Sequence, residues 1–329
     1  MTTASTAPAV SSPTAPHHGI PIWLAVAFAV VFGMLNAVQS RLNGQLGHLI
    51  GDGFTAAAIS FGSGLAILCV AMLLWPTGRR GLGKVRAALH VRSLSWWQIL
   101  GGTAGAFYVL SQSLTASMLG VALFTVAIVA GQTVSGLAMD RLGVGPGGHH
   151  PLTAPRVVGA ALTLVAVAWA VSGQIAGGVP LWLMWMPLVA GFGQGWQQAV
   201  NGRVRVAAGS ALTATFLNFL FGTIVLLIGF AVHALFVGLP TSLPSDPLLY
   251  IGGALGCVFI AGSALIVRTT GVLVLGLGIV AGQLLSALAL DLFAPTTAAP
   301  VPFATIGGTA LALVAVLIVG VRRRAPRSA

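Results

Sequence analysis

The sequence predicts an all-α integral membrane protein with ten transmembrane helices, arranged as two five-helix repeats of inverted topology. Three observations predict this fold class: an apolar composition, a one-sided distribution of positive charge, and an internal repeat with an odd number of spans. Of the 329 residues, 57% are hydrophobic and only 6% are charged, and the mean hydropathy is +0.99. Soluble domains carry about 25% charged residues, so this composition excludes a soluble fold.

The apolar runs have the length of membrane-spanning helices. Continuous stretches of about 18–22 residues recur along the chain, which suits helices crossing the hydrocarbon layer better than the alternating pattern of a β-barrel. Ten spans are predicted, at residues 20–40, 55–75, 96–117, 119–139, 155–173, 180–200, 211–236, 248–268, 271–291 and 302–321.

The two ends of the chain differ in character from these spans. Residues 1–19 are rich in Thr, Ala, Ser and Pro and predict a disordered tail. The absence of Lys and Arg before Arg41 argues against a signal peptide. The predicted organisation is therefore a tail (1–19), a first repeat (20–173), a second repeat (174–321) and a basic cytoplasmic C-terminal tail (322–329).

Positive charge falls almost entirely on one side of the predicted membrane. With the N-terminus in the cytoplasm, 14 of the 15 Lys and Arg residues lie in cytoplasmic segments, and only Arg41 lies in an outer loop. A miscounted span would scramble this pattern, so both termini are predicted to be cytoplasmic. The net charge of +11 is dispersed between apolar runs, so the lipid bilayer and not nucleic acid is the expected partner.

The chain repeats itself at a fixed register. The stretch "IVAGQ" at Ile128–Gln132 recurs at Ile279–Gln283, inside an ungapped block of 40 positions from Gly101 that carries 15 identities. A second ungapped block aligns residues 33–64 with residues 191–222. Because each repeat holds five spans, the second repeat must enter the membrane from the opposite side.

Two matched hexapeptides carry a resemblance to a known family. The chain reads "QSRLNG" at residues 39–44 and "QQAVNG" at residues 197–202, each at the end of the first predicted helix of a repeat. With the two five-helix halves, these motifs resemble the drug/metabolite transporter superfamily and, more closely, its bacterial inner-membrane YdcZ-like (EamA-related) branch, in a fused two-repeat form. The resemblance spans residues 20–321 and implies a secondary carrier, often an exporter, in the bacterial cytoplasmic membrane.

Uncharged polar side chains mark a candidate substrate cavity. Asn36, Gln39 and Asn43 share one face of the first predicted helix, and Gln194, Gln197 and Asn201 repeat that face in the sixth. These side chains either line a cavity or join helices through hydrogen bonds worth about 0.6 kcal/mol each. Capping is a third role for the two asparagines, which lie near predicted helix ends. Further candidates on other spans are Gln132, Asn218 and Gln283.

Acidic residues are scarce, which limits the mechanisms open to the protein. The chain contains no Glu, and Asp140 and Asp291 are the only acids near predicted spans. Two roles are open for each of these aspartates: it takes a proton in a coupled transport cycle, or it solvates the end of a helix. Small members of the superfamily that the chain resembles expel cations through a membrane-embedded Glu, so the resemblance disfavours export of lipophilic cations here. Neutral and weakly anionic solutes remain open as substrates.

The sequence favours a transporter over an enzyme. No catalytic residue, metal or cofactor is expected: Cys69 and Cys257 fall inside apolar runs, and His233 lies alone near the end of the seventh span. We expect a secondary transporter that moves a small-molecule substrate, a metabolite or drug, by alternating access. The alternatives are a non-transporting membrane scaffold or receptor and, less favoured, an intramembrane enzyme. The sequence does not decide whether the protein forms a homodimer.

Overall fold

The protein is helical throughout the residues described by the computed structural model, which are 21–146, 148–149, 154–175, 181–294 and 301–320. The predicted tails at 1–19 and 322–329 lie outside these residues. No strand occurs within the described ranges. The helices are α1 (Ile22–Ile50), α2 (Gly53–Leu74), α3 (Pro76–His90), α4 (Gly101–Ser111), α5 (Ser117–Leu119), α6 (Val121–Leu142), α7 (Ala154–Ile175), α8 (Trp185–Ala208), α9 (Ala211–Val237), α10 (Gly252–Phe293) and α11 (Phe303–Gly320).

Five stretches of the described chain are long and apolar enough to cross a membrane. They are Trp23–Ile50, Gly53–Leu74, Val121–Leu142, Ala211–Val237 and Gly276–Phe293. Shorter apolar helices cover Val157–Ala170, Gly252–Ser263 and Phe303–Ile318. Together these helices confirm the predicted class, an all-α multi-pass membrane protein.

The first helix is longer than predicted, which moves Arg41 out of the predicted outer loop. α1 continues to Ile50, so Arg41 lies within the helix and is half-buried. Gly51, with φ at 73°, ends α1, and Asp52 immediately caps α2 by accepting a hydrogen bond from the backbone N–H of Phe54 at 2.8 Å. The two helices are therefore joined by two residues, and the prediction of Arg41 in an outer loop was wrong.

The basic segment after α2 is a helix and not the predicted loop. α3 begins with Pro76, whose missing N–H costs nothing at a helix start, and buries Gly78, Gly81 and Val85 on one face. The hydroxyl of Thr213 donates to the carbonyl oxygen of Gly78 at 2.8 Å, which ties α3 to the start of α9. The opposite face of α3 exposes its cationic side chains.

α10 doubles back on itself, although its backbone is helical over 42 residues. A straight helix of that length would extend about 63 Å. Instead both arms lie against the same part of α1. In the first arm Gly256 adjoins Gln39, and Ile266 packs with Ala25.

The second arm of α10 then returns along α1. Gly278 adjoins Ala29, and the backbone of Ile279 and Gln283 adjoins Gly33. The chain therefore reverses direction between residues 266 and 278. The two arms correspond to the segments predicted as the eighth and ninth spans.

The helix contacts follow the internal register of the sequence. α1 packs on α10, while α8, its equivalent in the second half, packs on α6 and α4. α2 packs on α9 and α7 packs on α11, so equivalent helices also meet each other.

Equivalent helices that meet run antiparallel. Phe54 at the start of α2 stacks on His233 near the end of α9, with ring centroids 4.7 Å apart, and Phe61 meets Phe219 midway at 4.9 Å. Gly308 at the start of α11 likewise adjoins Ala170 near the end of α7. These contacts place the start of each of these helices against the end of its equivalent.

Asp52 is expected to stabilise the junction between α2 and α9. Besides capping α2, it accepts a hydrogen bond from the Thr55 hydroxyl, and its Oδ1 lies 3.4 Å from Nε2 of His233. His233 is therefore not alone, contrary to the prediction.

We expect Asp52→Ala to lower the free energy of unfolding by about 1–2 kcal/mol, the usual cost of losing an N-cap. Thermal unfolding in detergent tests this, and Asp52→Asn, which keeps an acceptor, should recover most of the loss. Equal melting of wild type and Asp52→Ala would contradict the capping role.

Candidate functional site

The polar face of α1 is buried and bonded to α4 and the π-helical turn after it. Asn36, Gln39 and Asn43 are all buried. Because α1 continues to Ile50, Asn43 does not lie near a helix end, contrary to the prediction. The Tyr108 hydroxyl donates to Oδ1 of Asn36 at 2.7 Å. Nδ2 of Asn43 donates to Oε1 of Gln112 at 2.8 Å. A continuous set of amides and hydroxyls therefore connects α1 with the segment from Gly101 to Ala116.

The matching face of α8 is bonded to α9 and α6. Nε2 of Gln197 donates to Oδ1 of Asn218 at 2.7 Å, and Nδ2 of Asn201 donates to the same oxygen at 2.9 Å. Asn201 lies about two turns before the end of α8, so it is not a capping residue either. Nε2 of Gln132 donates to Oε1 of Gln194. Asn218 thus joins the α8 stripe directly.

Glycines of each half leave space for amide side chains of the other half. A Cβ on Gly105 would lie 2.5 Å from Nε2 of Gln197, and a Cβ on Gly256 would lie 2.9 Å from Nε2 of Gln39. Neither separation leaves room for a methyl group. Each amide of one half therefore occupies the space left by a glycine of the other half. Gln194 also lies close to the Tyr108 hydroxyl, which brings the two stripes together into one polar cluster.

Sequence reasoning missed three members of this cluster. Tyr108 and Gln112 are buried at i and i+4 of one helical face, and Ser40 bonds both of them through its hydroxyl. A signal for them existed, because Tyr and Gln one turn apart within an apolar run have the spacing used to select Asn36 and Gln39. Ser40 carried no such signal, because isolated serines are common in membrane helices.

A small void lies inside the cluster, on the first-half side. It is lined by Asn36, Ala37, Ser40, Tyr108, Thr125, Ile128 and Gln283. The gaps between these side chains are too narrow to hold a water molecule. Gln283 is 2% exposed, and its Oε1 has no hydrogen-bond partner among the described residues.

The two candidate coupling residues occupy different settings. Asp291 is buried and accepts hydrogen bonds from the backbone N–H groups of Val121 at 3.0 Å and Ala122 at 2.6 Å, so it caps the start of α6. It also interacts electrostatically with Arg41 of α1. Asp140 lies in the last turn of α6. Asp291 thus has a structural role, and coupling by either aspartate stays a prediction.

The cluster offers binding chemistry and no reactive group. Its described members are amides and hydroxyls without a charged side chain, which can bond a polar solute or hold helices together. Within the described residues, no group of three or more His, Cys, Asp or Glu side chains is placed to bind a metal. Cys69 is exposed and Cys257 is buried, and both are free.

Comparisons with known proteins point to one family. The sequence profile of the family described as "Putative inner membrane exporter, YdcZ" matches the chain twice, over residues 24–169 and 182–318. The inner membrane protein YdcZ of Escherichia coli (strain K12) is 26% identical over 117 residues, which cover 36% of this chain and 74% of that protein. A protein of known crystal structure is 18% identical and superposes with a TM-score of 0.53, covering 90% of this chain and 94% of its own. At that identity the likeness shows a shared fold alone.

Proposed function

Because the chain belongs to the YdcZ family, whose profile matches both of its halves, we propose that it is a secondary transporter that exports a small solute. In this proposal ten spans form two inverted repeats, both termini are cytoplasmic, and the protein works by alternating access in the bacterial cytoplasmic membrane. The substrate is a small metabolite or drug, and a homodimer is compatible with the fused halves.

The antiparallel contact of equivalent helices carries the proposal. The pairs α2–α9 and α7–α11 run in opposite directions, while α1 and α8 exchange partners between the halves. Inverted repeats suit alternating access, because exchanging the conformations of the two halves converts a site open to one face into a site open to the other. A scaffold or receptor has no need of this exchange.

The position of the polar cluster supports the same mechanism. It lies where α1 and α8 meet helices of the opposite half, and its void does not admit water. A solute must therefore enter by movement of one half against the other. We propose that Asn36, Gln39, Asn43, Gln194, Gln197, Asn201 and Asn218 line the cavity opened by that movement, and that Gln132 and Gln283 face it from α6 and α10.

Export is testable without knowing the substrate. Proteoliposomes would be loaded with a small-molecule extract of bacterial cytoplasm, and mass spectrometry would identify compounds released faster than from protein-free liposomes. We expect at least one such compound, with release by Gln197→Leu at least about tenfold slower, because the variant leaves Asn218 without its partner in the cavity.

The control is Gln198→Leu, an identical change at an exposed position one residue further along α8. It should release the same compounds at the wild-type rate. If no compound leaves the liposomes faster in the presence of folded wild-type protein, export is contradicted and the scaffold alternative is favoured.

A further inference from the structure

The two sides of the polar cluster are not equivalent. We define the first half-site as Asn36, Ser40, Tyr108, Thr125 and Gln283. The repeat register assigns to these positions a second half-site of Gln194, Gln198, Phe259, Gly276 and Gln132. Tyr108 and Thr125 thus correspond to residues without a polar side chain, and buried Ser40 corresponds to exposed Gln198.

The first half-site holds an unsatisfied acceptor beside empty space. Oε1 of Gln283 is buried without a partner among the described residues, and Gln283 lines the void with Asn36, Ser40 and Tyr108. Oδ1 of Asn43, one turn beyond Ser40, is also buried without a partner there. Buried polar groups are bonded in the great majority of folded proteins, so an orphaned acceptor at a void indicates a missing donor. Water cannot supply this donor in the observed conformation, because the void is too narrow.

The second half-site is already closed by its own contacts. Nε2 of Gln132 donates to Oε1 of Gln194, so these two amides satisfy each other. Phe259 packs against an apolar cluster that includes Ala25, Ala29 and Ile279. Gly276 adds no side chain. Among these five residues, no buried side-chain oxygen lacks a hydrogen-bond partner, in contrast to Gln283.

From this asymmetry we infer that, of the two half-sites, only the first recognises the ligand of the proposed transporter, and that it binds an uncharged group bearing a hydrogen-bond donor, such as a hydroxyl or an amide N–H. The inference rests on the proposed function. The space beside Oε1 of Gln283 is too narrow for a water molecule in this conformation, so a polar group of a solute reaches that oxygen only when the two halves move apart.

The surrounding charges favour a neutral ligand. No lining residue is charged. Arg41 lies one turn beyond the lining residue Ala37, and its charge is attracted by Asp291 of α10. An ion in the void would lose its water without gaining a counter-ion, which opposes binding of either sign.

Matched ligands of different charge test the inference. Two sets serve as probes: benzamide, benzoate and benzamidinium, and ribitol, ribonate and 1-amino-1-deoxyribitol. N,N-dimethylbenzamide, which is neutral but lacks the N–H donor, completes the first set. The shift in melting temperature of the purified protein in detergent would be titrated with each probe. We expect a neutral donor-bearing member to bind at least about tenfold more tightly than its charged counterparts and than the dimethyl amide.

Variants then locate the binding. Gln283→Leu and Tyr108→Phe should each reduce the affinity for that neutral probe at least about fivefold. The matched controls Gln198→Leu and Phe259→Leu, at exposed and apolar positions of the second half-site, should keep the wild-type affinity. The ligand-free melting temperature of every variant shows whether it folds, and Tyr108→Phe, which removes one hydroxyl, covers the case in which Gln283→Leu fails to fold.

The outcomes separate this inference from the proposed function. Tighter binding of a charged member, no binding of any neutral member, or equal loss in the control variants would overturn the inference. Release of compounds from loaded proteoliposomes would still support export in each of those cases. Absence of any release would instead contradict the proposed function.

Discussion

Gly33→Ala is expected to lower the free energy of unfolding by about 3 kcal/mol, at the upper end of the cost of overpacking. A Cβ on Gly33 would overlap the carbonyl oxygen of Ile279 in α10, and the equivalent Gly191 faces the carbonyl oxygen of Ile128 in α6. In both cases the obstacle is backbone, which cannot rotate away as a side chain could. The two helices would have to separate along their length, so we expect Gly191→Ala to behave in the same way.

Thermal unfolding in detergent would measure this effect, with a fall in melting temperature of about 5 °C or more expected for each variant. Gly62→Ala is the matched control, because Gly62 lies within α2 and an added methyl group there would meet no atom within 4 Å. That change should leave stability unchanged or raise it by up to about 1 kcal/mol through helix propensity. Equal melting of Gly33→Ala and Gly62→Ala would contradict the close approach of α1 and α10.

Asp291→Ala is expected to lower the free energy of unfolding by about 2–4 kcal/mol, because two buried backbone N–H groups would lose their charged acceptor. The substitution leaves the backbone N–H groups of Val121 and Ala122 without their acceptor and removes a negative charge that attracts Arg41. Asp246→Ala, which removes the cap of an exposed single-turn helix, should cost only about 1 kcal/mol. Chemical or thermal unfolding of the two variants would compare these costs.

Asp291→Asn separates capping from proton coupling. Asparagine keeps one of the two acceptor oxygens that cap α6, because its Nδ2 cannot accept from a backbone N–H, and it cannot take up or release a proton during transport. If Asp291 only caps, this variant folds and retains the pH dependence of any flux found in proteoliposomes. Loss of that pH dependence in a stable Asp291→Asn protein would instead assign the coupling role to Asp291.

The candidate site was only partly predictable from the sequence. Asn36, Gln39, Gln194 and Gln197 stood out because amides are costly in hydrocarbon and their spacing marks one helical face. Their burial was expected, but the sequence could not choose between cavity and interhelical bonding. The structure pairs Gln197 with Asn218.

The asymmetry between the half-sites was also beyond the reach of sequence reasoning. Gln132 and Gln283 occupy the same position of the repeated "IVAGQ", so the sequence predicts equivalent roles for them. In the structure Gln132 bonds Gln194, whereas Oε1 of Gln283 has no partner among the described residues. The difference depends on what each helix meets across the interface. Linear spacing within one helix contains no information about that neighbour.

Composition, apolar run length and internal register were sufficient by themselves to predict a helical membrane protein built from two related halves. These properties are local or additive, since every residue in hydrocarbon must be apolar or bonded whatever its neighbours. Only the tertiary structure decided that α10 folds back along α1, that Asp291 caps a helix 170 residues away in sequence, and that the first half-site retains a void. Those features depend on helix rotation and close approach, which arise from contacts between distant segments.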